Sequence, residues 1–336
     1  MSRSIKGALF SLVTAIVLAA ALAGFVAPRA AESVAATVPP CGEPTVRTVA
    51  KLPAAMPELT SSEPAPAITA STAVVMDGDT GRVLYDLHAH EAMPPASTTK
   101  IMTAILALEQ LPDLSRIVVS DIDAQTLVGS SVMGLRPGVP ISLKGLLYGL
   151  MLPSGNDAAI ELAEAVDGND AAFVQRMNSM ARALGLENTH FANPHGLDAP
   201  DHYMSAYDLA RLADFAMANP EFARIVGTRD YHLAPPYNYD LKNGNTMLGT
   251  YPGADGVKIG WTDAAGWTLV ASATRNGHRV FAVVLHSADR NADASALLDW
   301  AFRAYQWMPV TPNRTLVSDQ PLASASPETR DLSVCF

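Results

Sequence analysis

Short apolar runs with strand character lie towards both ends of this chain, and a helical period runs through its middle. Thr72-Ala73-Val74-Val75-Met76 and Gly81-Arg82-Val83-Leu84-Tyr85 predict two strands joined by Asp77-Gly78-Asp79-Thr80. Residues 266–273 and 278–285 predict a second hairpin, because Arg275-Asn276-Gly277 sets an Asn-Gly turn between two apolar runs. Between the hairpins, apolar positions at helical spacing predict helices over 101–109, 143–151, 157–166, 170–184 and 206–218, and another follows at 292–305. Turns at Arg136-Pro137-Gly138, Asp167-Gly168-Asn169 and Asn193-Pro194-His195-Gly196 punctuate them. Strands from both ends have to share a sheet. The pattern therefore predicts an α/β (α+β) fold, an antiparallel sheet built from both ends of the domain with an inserted helical region and a cleft between the two.

The flanks have a different texture. Arg3 and Lys6 precede an apolar run over residues 8–26, the pattern of a secretory signal. The run is also nearly long enough to span a bilayer. Residues 1–30 are thus expected to be either a signal peptide, cleaved near Ser33-Val34-Ala35, or an uncleaved N-terminal anchor. Both imply export, with membrane contact only through that segment. Residues 31–67, rich in Ala, Pro, Ser, Thr and Val without periodicity, predict a linker. The folded domain is expected over 68–308, and 309–336 as a disordered tail.

Charge and cysteines narrow the classes. A formal net charge of -10, with no basic run, argues against nucleic acid as a partner. Cys41 and Cys335 lie in the two flanking segments. A bridge between them is permissible outside the cytoplasm, and two separate thiols fit the sequence equally well. His88 and His90 have the i,i+2 spacing of strand ligands but no third ligand at a recognisable distance, so they read as surface histidines and no metal or cofactor is implied.

Candidate chemistry gathers in three stretches. Pro94-Pro95-Ala96-Ser97-Thr98-Thr99-Lys100 ends an extended segment and starts a helix, placing Ser97 among unpaired N–H groups. Lys100 falls one turn later on the same face, close enough to exchange a proton with the hydroxyl, which can activate a serine without histidine. Taken alone, Ser-x-x-Lys is common and such a serine is often only a cap. Ser154-Gly155-Asn156 sits in a loop between two predicted helices, where Ser154 can relay a proton and Asn156 can hold Lys100 or a substrate carbonyl. Its bland reading is a turn with a helix cap. Lys258-Ile259-Gly260-Trp261-Thr262 joins a cation to a glycine that admits another backbone, and a second cation near Lys100 would help keep that amine neutral. A solvated lysine in a glycine-rich turn is the plain alternative.

With these stretches in this order, the chain resembles the D-alanyl-D-alanine carboxypeptidases, the low-molecular-mass serine-type penicillin-binding proteins. The resemblance runs over about 69–305 and also takes in Asn193-Pro194-His195-Gly196-Leu197-Asp198 and Leu297-Leu298-Asp299-Trp300. It implies a β-lactamase/transpeptidase-like fold and an exported, cell-wall or periplasmic enzyme. Such an enzyme trims the terminal D-alanine from peptidoglycan stem peptides and is acylated by β-lactam antibiotics. It further implies Ser97 as nucleophile, Lys100 as its base, and Ser154 and Asn156 in proton transfer and positioning. Lys258 would attract the terminal carboxylate, and the N–H groups of Ser97 and Trp261 would form the oxyanion hole beside Gly260.

One position departs from the family. Ile259 stands where the family usually has threonine, so the hydroxyl that helps bind the carboxylate is missing, and Thr262 or Arg290 is expected to compensate. Two other functions stay open. The protein could bind penicillin or cell-wall peptide with weak turnover because of Ile259, or, less in keeping with its motifs, be a β-lactamase. A class A enzyme of that kind needs a deacylating carboxylate on a loop, whereas Glu161 and Glu164 fall in the helix after Ser154 and Glu187 has no clear counterpart.

Overall fold

The computed structural model describes residues 45–50, 54–310 and 327–333. The segment expected to be a signal or anchor, the cleavage site expected for it and both cysteines lie outside the described residues. Among those described, no helix is long and apolar enough to cross a membrane.

In chain order the elements are β1 (Thr45–Ala50), β2 (Ala55–Leu59), β3 (Thr72–Asp77), β4 (Val83–Leu87), α1 (Lys100–Gln110), β5 (Ile117–Val119), β6 (Pro140–Ser142), α2 (Leu143–Met151), α3 (Asn156–Asp167), α4 (Asp170–Ala183), α5 (Ala206–Met217), α6 (Pro220–Val226), β7 (Asp230–Leu233), β8 (Tyr239–Lys242), β9 (Ala254–Thr262), β10 (Gly266–Arg275), β11 (His278–Ser287), α7 (Arg290–Ala304), β12 (Tyr305–Pro309) and β13 (Pro327–Ser333). A five-stranded antiparallel sheet in the order β4-β3-β11-β10-β9 is the frame, and it joins the two ends of the domain as the strand pattern requires.

Alternation along the strands divides the core. Val74, Met76, Val270, Phe281, Val283 and Leu285 face the inserted helices, and Ala73, Val75, Leu269, Ala271, Ala282 and Val284 face α7 through Leu297, Leu298 and Ala301. Helix α1 is buried from Lys100 to Ala107. A helix this enclosed has to be apolar on every side, and Lys100 is its one charged buried residue.

Several elements lie where the sequence reading had none. β1 and β2 lie in the stretch read as linker and β13 in the one read as tail; β1 pairs with β13, and β2 with β12 at the end of the expected domain. β2 carries Pro57, which weakens a strand signal and suits an edge position. β5 pairs with β6 inside the region read as helical, and β7 with β8 between that region and the second predicted hairpin.

Candidate active site

Ser97 sits in a 3-10 turn, Ala96–Thr99, which runs into α1 at Lys100. The sequence suggested a capping hydroxyl. Instead no side chain caps this turn, and Ser97 Oγ accepts a hydrogen bond of 3.0 Å from Lys100 Nζ. The turn is held in an unusual shape. Ala96 has φ of 51°, a region costly for a residue with a Cβ. Gly196, at φ 93°, lies against it, and a Cβ there would come within 1.9 Å of the Ala96 carbonyl oxygen. Only glycine lets the 193–198 loop close on the serine turn.

Lys100 is wholly buried and its Nζ has three acceptors: Ser97 Oγ, Asn156 Oδ1 at 2.6 Å and the His195 carbonyl at 2.6 Å. Burial, then the nearby charge of Lys258, holds its pKa well below the ordinary lysine value, while Asp157 opposes the shift. With its proton the ammonium can donate to all three, and once that proton is lost the amine keeps two N–H groups and one lone pair. Carbonyl oxygens only accept, so Asn156 and His195 take the two N–H groups. The lone pair then faces Ser97, the one partner with a proton to give. The arrangement is that of a general base on a hydroxyl nucleophile.

Asn156 opens α3, and the next residue anchors that end of the helix. Asp157, fully buried, accepts from the N–H groups of Met133, Gly134, Leu135 and Ala158 at 2.8 to 2.9 Å. These bonds tie the 133–135 loop to the residue that holds Lys100. Ser154, two residues before Asn156, has φ of 66°, and its buried Oγ has no hydrogen-bond partner among the described residues. A strained backbone that presents an unpaired hydroxyl next to Lys100's support is suited to passing a proton.

The third stretch is a strand, where a glycine-rich surface turn was the plain reading. β9 is the edge of the main sheet, and Lys258 is 2% exposed. Lys258 pairs in register with Val270 and Gly260 with Thr268, on the face towards the helices. A Cβ on Gly260 would stand 2.4 Å from Thr268 Oγ1 and 2.9 Å from the Ser97 amide nitrogen, so glycine brings β9 onto the serine turn. Lys258 Nζ donates to the Ile259 carbonyl at 3.0 Å. Its pKa is pushed down to about 7, first by burial and then by the charge of Arg290. Arg290, the first residue of α7, donates to the Gly260 carbonyl at 2.8 Å.

Ile259 alternates to the opposite face, where it packs with the α7 cluster and its Cδ1 fills the space beside Gly244. Thr262 Oγ1 donates to Asp198 Oδ1 at 2.7 Å, so that hydroxyl proton is engaged inside the protein.

Sequence reasoning gave no role to the loop at 190–202. Here the His195 carbonyl holds Lys100, Asp198 fastens the end of β9 and Gly196 meets the serine turn. His202 clamps the loop. Its Nδ1 accepts from the Ala192 N–H, so Nε2 carries the proton and donates to Thr99 Oγ1 at 2.8 Å. Burial pushes its pKa down to about 4 and that of His195 to about 3, so both are neutral near pH 7. The stretch Asn193-Pro194-His195-Gly196 was visible, but a carbonyl acceptor leaves no side-chain signature.

A hydroxyl beside a desolvated amine, a second buried lysine and a strand edge pressed against the nucleophile together define the equipment of a lysine-assisted serine acyltransferase or hydrolase. The D-alanyl-D-alanine carboxypeptidase model of the S11 peptidases matches residues 59–289, and the chain belongs to that family. It is 39% identical over 252 residues to D-alanyl-D-alanine carboxypeptidase DacF of Bacillus subtilis (strain 168), covering 72% of this chain and 64% of that one. The match to D-alanyl-D-alanine carboxypeptidase DacB2 of Mycobacterium tuberculosis is 38% identical over 251 residues and covers 72% and 85%. In three dimensions it resembles the Streptomyces K15 DD-transpeptidase, with a TM-score of 0.68 at 34% identity over 72% of this chain and 100% of that one. The structural likeness carries the expected fold class.

Proposed function

We propose that the chain is an exported serine-type D-alanyl-D-alanine carboxypeptidase that removes the terminal D-alanine of peptidoglycan stem peptides. The observation that carries this reading is the buried Lys100 amine, whose Nζ lies 3.0 Å from Ser97 Oγ while the Asn156 and His195 oxygens accept from it on its other sides. Ser97 Oγ attacks the carbonyl of the last peptide bond as Lys100 takes its proton. The oxyanion that forms is met by the N–H groups of Ser97 and Trp261. The bond to D-alanine then breaks, with Ser154 passing the proton to the leaving amine and Asn156 holding Lys100 in place. Water next attacks the ester, and the shortened peptide leaves with Ser97 restored. A β-lactam would enter the same first step and remain as the acyl group.

Lys258 and Arg290 attract the terminal carboxylate. Arg290 is the better candidate to replace the hydroxyl missing at Ile259, because the Thr262 proton is given to Asp198. Residues 1–30, as a signal or a retained anchor, would deliver the domain to the cell wall or periplasm. A weak-turnover binding protein is the second reading, and the observation that favours it is that Ile259 offers no donor and packs against the α7 cluster. Rates on a stem peptide with a free C-terminal carboxylate and on its amide decide between them. The carboxypeptidase reading expects kcat/KM to favour the carboxylate by about tenfold or more, roughly the strength of one charged contact. Equal rates would remove the carboxylate roles of Lys258 and Arg290, and acylation without D-alanine would leave only a binding protein.

A further inference from the structure

The serine turn and the start of α1 hold the 190–202 loop at three points. Thr99 bonds His202 at 2.8 Å, Lys100 donates to the His195 carbonyl at 2.6 Å, and Thr103 donates from Oγ1 to the Pro194 carbonyl at 2.5 Å. Thr103 lies one turn after both Thr99 and Lys100, on their face of the helix. It is fully buried between Met102 and Ala104. A threonine inside a helix often turns its hydroxyl back to the carbonyl four residues earlier, whereas this one gives its proton to another segment. Asn193 grips the same loop from the other side. Its Oδ1 accepts from the His195 N–H at 3.2 Å and from the Gly196 N–H at 2.7 Å. Two successive peptide units, 194–195 and 195–196, are thereby clamped at both ends. In each the N–H meets Asn193, and the opposed carbonyl meets α1, one at Thr103 and the other at Lys100.

We propose that Thr103 is a positioning residue for the reaction at Ser97, holding the 194–195 peptide so that the next carbonyl, that of His195, stays aimed at Lys100 Nζ. The inference rests on the role of Lys100 as base in the proposed function. Four charged or titratable groups bear on this part of the site. Lys258 on β9 opposes a proton on Lys100, and Asp157 on α3 favours one. The His195 and His202 rings, on the loop, are kept neutral near pH 7, first by burial. The His195 carbonyl acts with the sign of Asp157, because an acceptor stabilises an ammonium more than an amine. Let that carbonyl drift, and the proton on Lys100 is held less firmly. The neutral amine also loses one of the two acceptors that turn its lone pair towards Ser97. A hydroxyl that merely satisfied a buried carbonyl would affect stability and leave the Lys100 proton alone.

Thr103→Val keeps the shape of the side chain and removes its hydroxyl. Two measurements on the full chain read the effect: the rate constant for acylation by penicillin as a function of pH, and the titration of Lys100 itself by NMR of lysine labelled at Cε, with Lys100→Arg identifying its signal. The acid side of the acylation profile and the Lys100 titration should both move down by about one pH unit, and the plateau rate should fall about tenfold. Thr103→Ser keeps the hydroxyl and should restore both. Asn193→Ala frees the His195 carbonyl from the other side and should move both in the same direction, so the test stands even where Thr103→Val fails to fold. A profile and a titration that stay in place while only the melting temperature falls would overturn the proposal. So would a move upwards, which means that water has reached Lys100. A parent protein whose acylation has no acid side at the Lys100 titration defeats the base role instead, and the NMR titration still decides whether Thr103 governs the proton on Lys100.

Discussion

At the scale of residues, the proposed chemistry depends on the charge states of two buried lysines, to which it gives opposite requirements. Lys100 acts as a base only without its proton, so kcat/KM should rise as the pH climbs through its lowered pKa, a shift caused first by burial and then by the Lys258 charge. Lys258 attracts a carboxylate only with its proton, and its pKa is pushed down to about 7 by burial and then by Arg290. Its contribution should therefore fade as the pH rises above that value. A stem peptide with a free carboxylate should show a bell-shaped pH profile whose alkaline side begins near 7. The amidated peptide has no carboxylate to lose, so its profile should keep the acid side and lack that alkaline fall. Alkaline falls of equal size on the two substrates would contradict the role given to Lys258.

At the scale of elements, the site exists because glycines allow close contacts between segments far apart in the chain. Gly260 is the clearest case. Its missing side chain leaves room for the Ser97 amide and Thr268 Oγ1, both nearer than 3.0 Å to where a Cβ would be. Gly260→Ala should push β9 off the serine turn and lower kcat/KM by about 100-fold, because displacements of about 1 Å at a reacting centre have effects of that size. The fold should survive, which the melting temperature checks. A variant with full activity would show that β9 is not held to Ser97 in the way described.

The same contacts explain what could be read from the chain beforehand. The two main hairpins and the long helices were legible because alternation and helical spacing are local. Ser97 with Lys100 was legible because one helical turn sets their distance. β9 was not, since Gly256 and Gly260 interrupt its pattern and nothing local marks a lysine as buried. Nor was the full environment of Lys100, whose other acceptors come from 56 and 95 residues away. β1 and β2 were hidden for a related reason, as each is short and finds its partner near the other end of the chain.

At the scale of the whole molecule, one sheet drawn from both ends of the domain carries β9, and one inserted helical region carries Ser97, Lys100 and Asn156. Neither part contains a working site alone. Family membership says what such an assembly does in related proteins, and Ile259 is where this chain departs from the usual motif. The most direct test of the central claim is the intact mass of the protein after brief incubation with penicillin, with the modified peptide located by digestion. Parallel measurement of D-alanine released from a stem pentapeptide completes it. The account predicts one penicilloyl group on Ser97, none in Ser97→Ala, and D-alanine released by the parent protein only. An unmodified Ser97, or D-alanine released by Ser97→Ala at the parent rate, would contradict it.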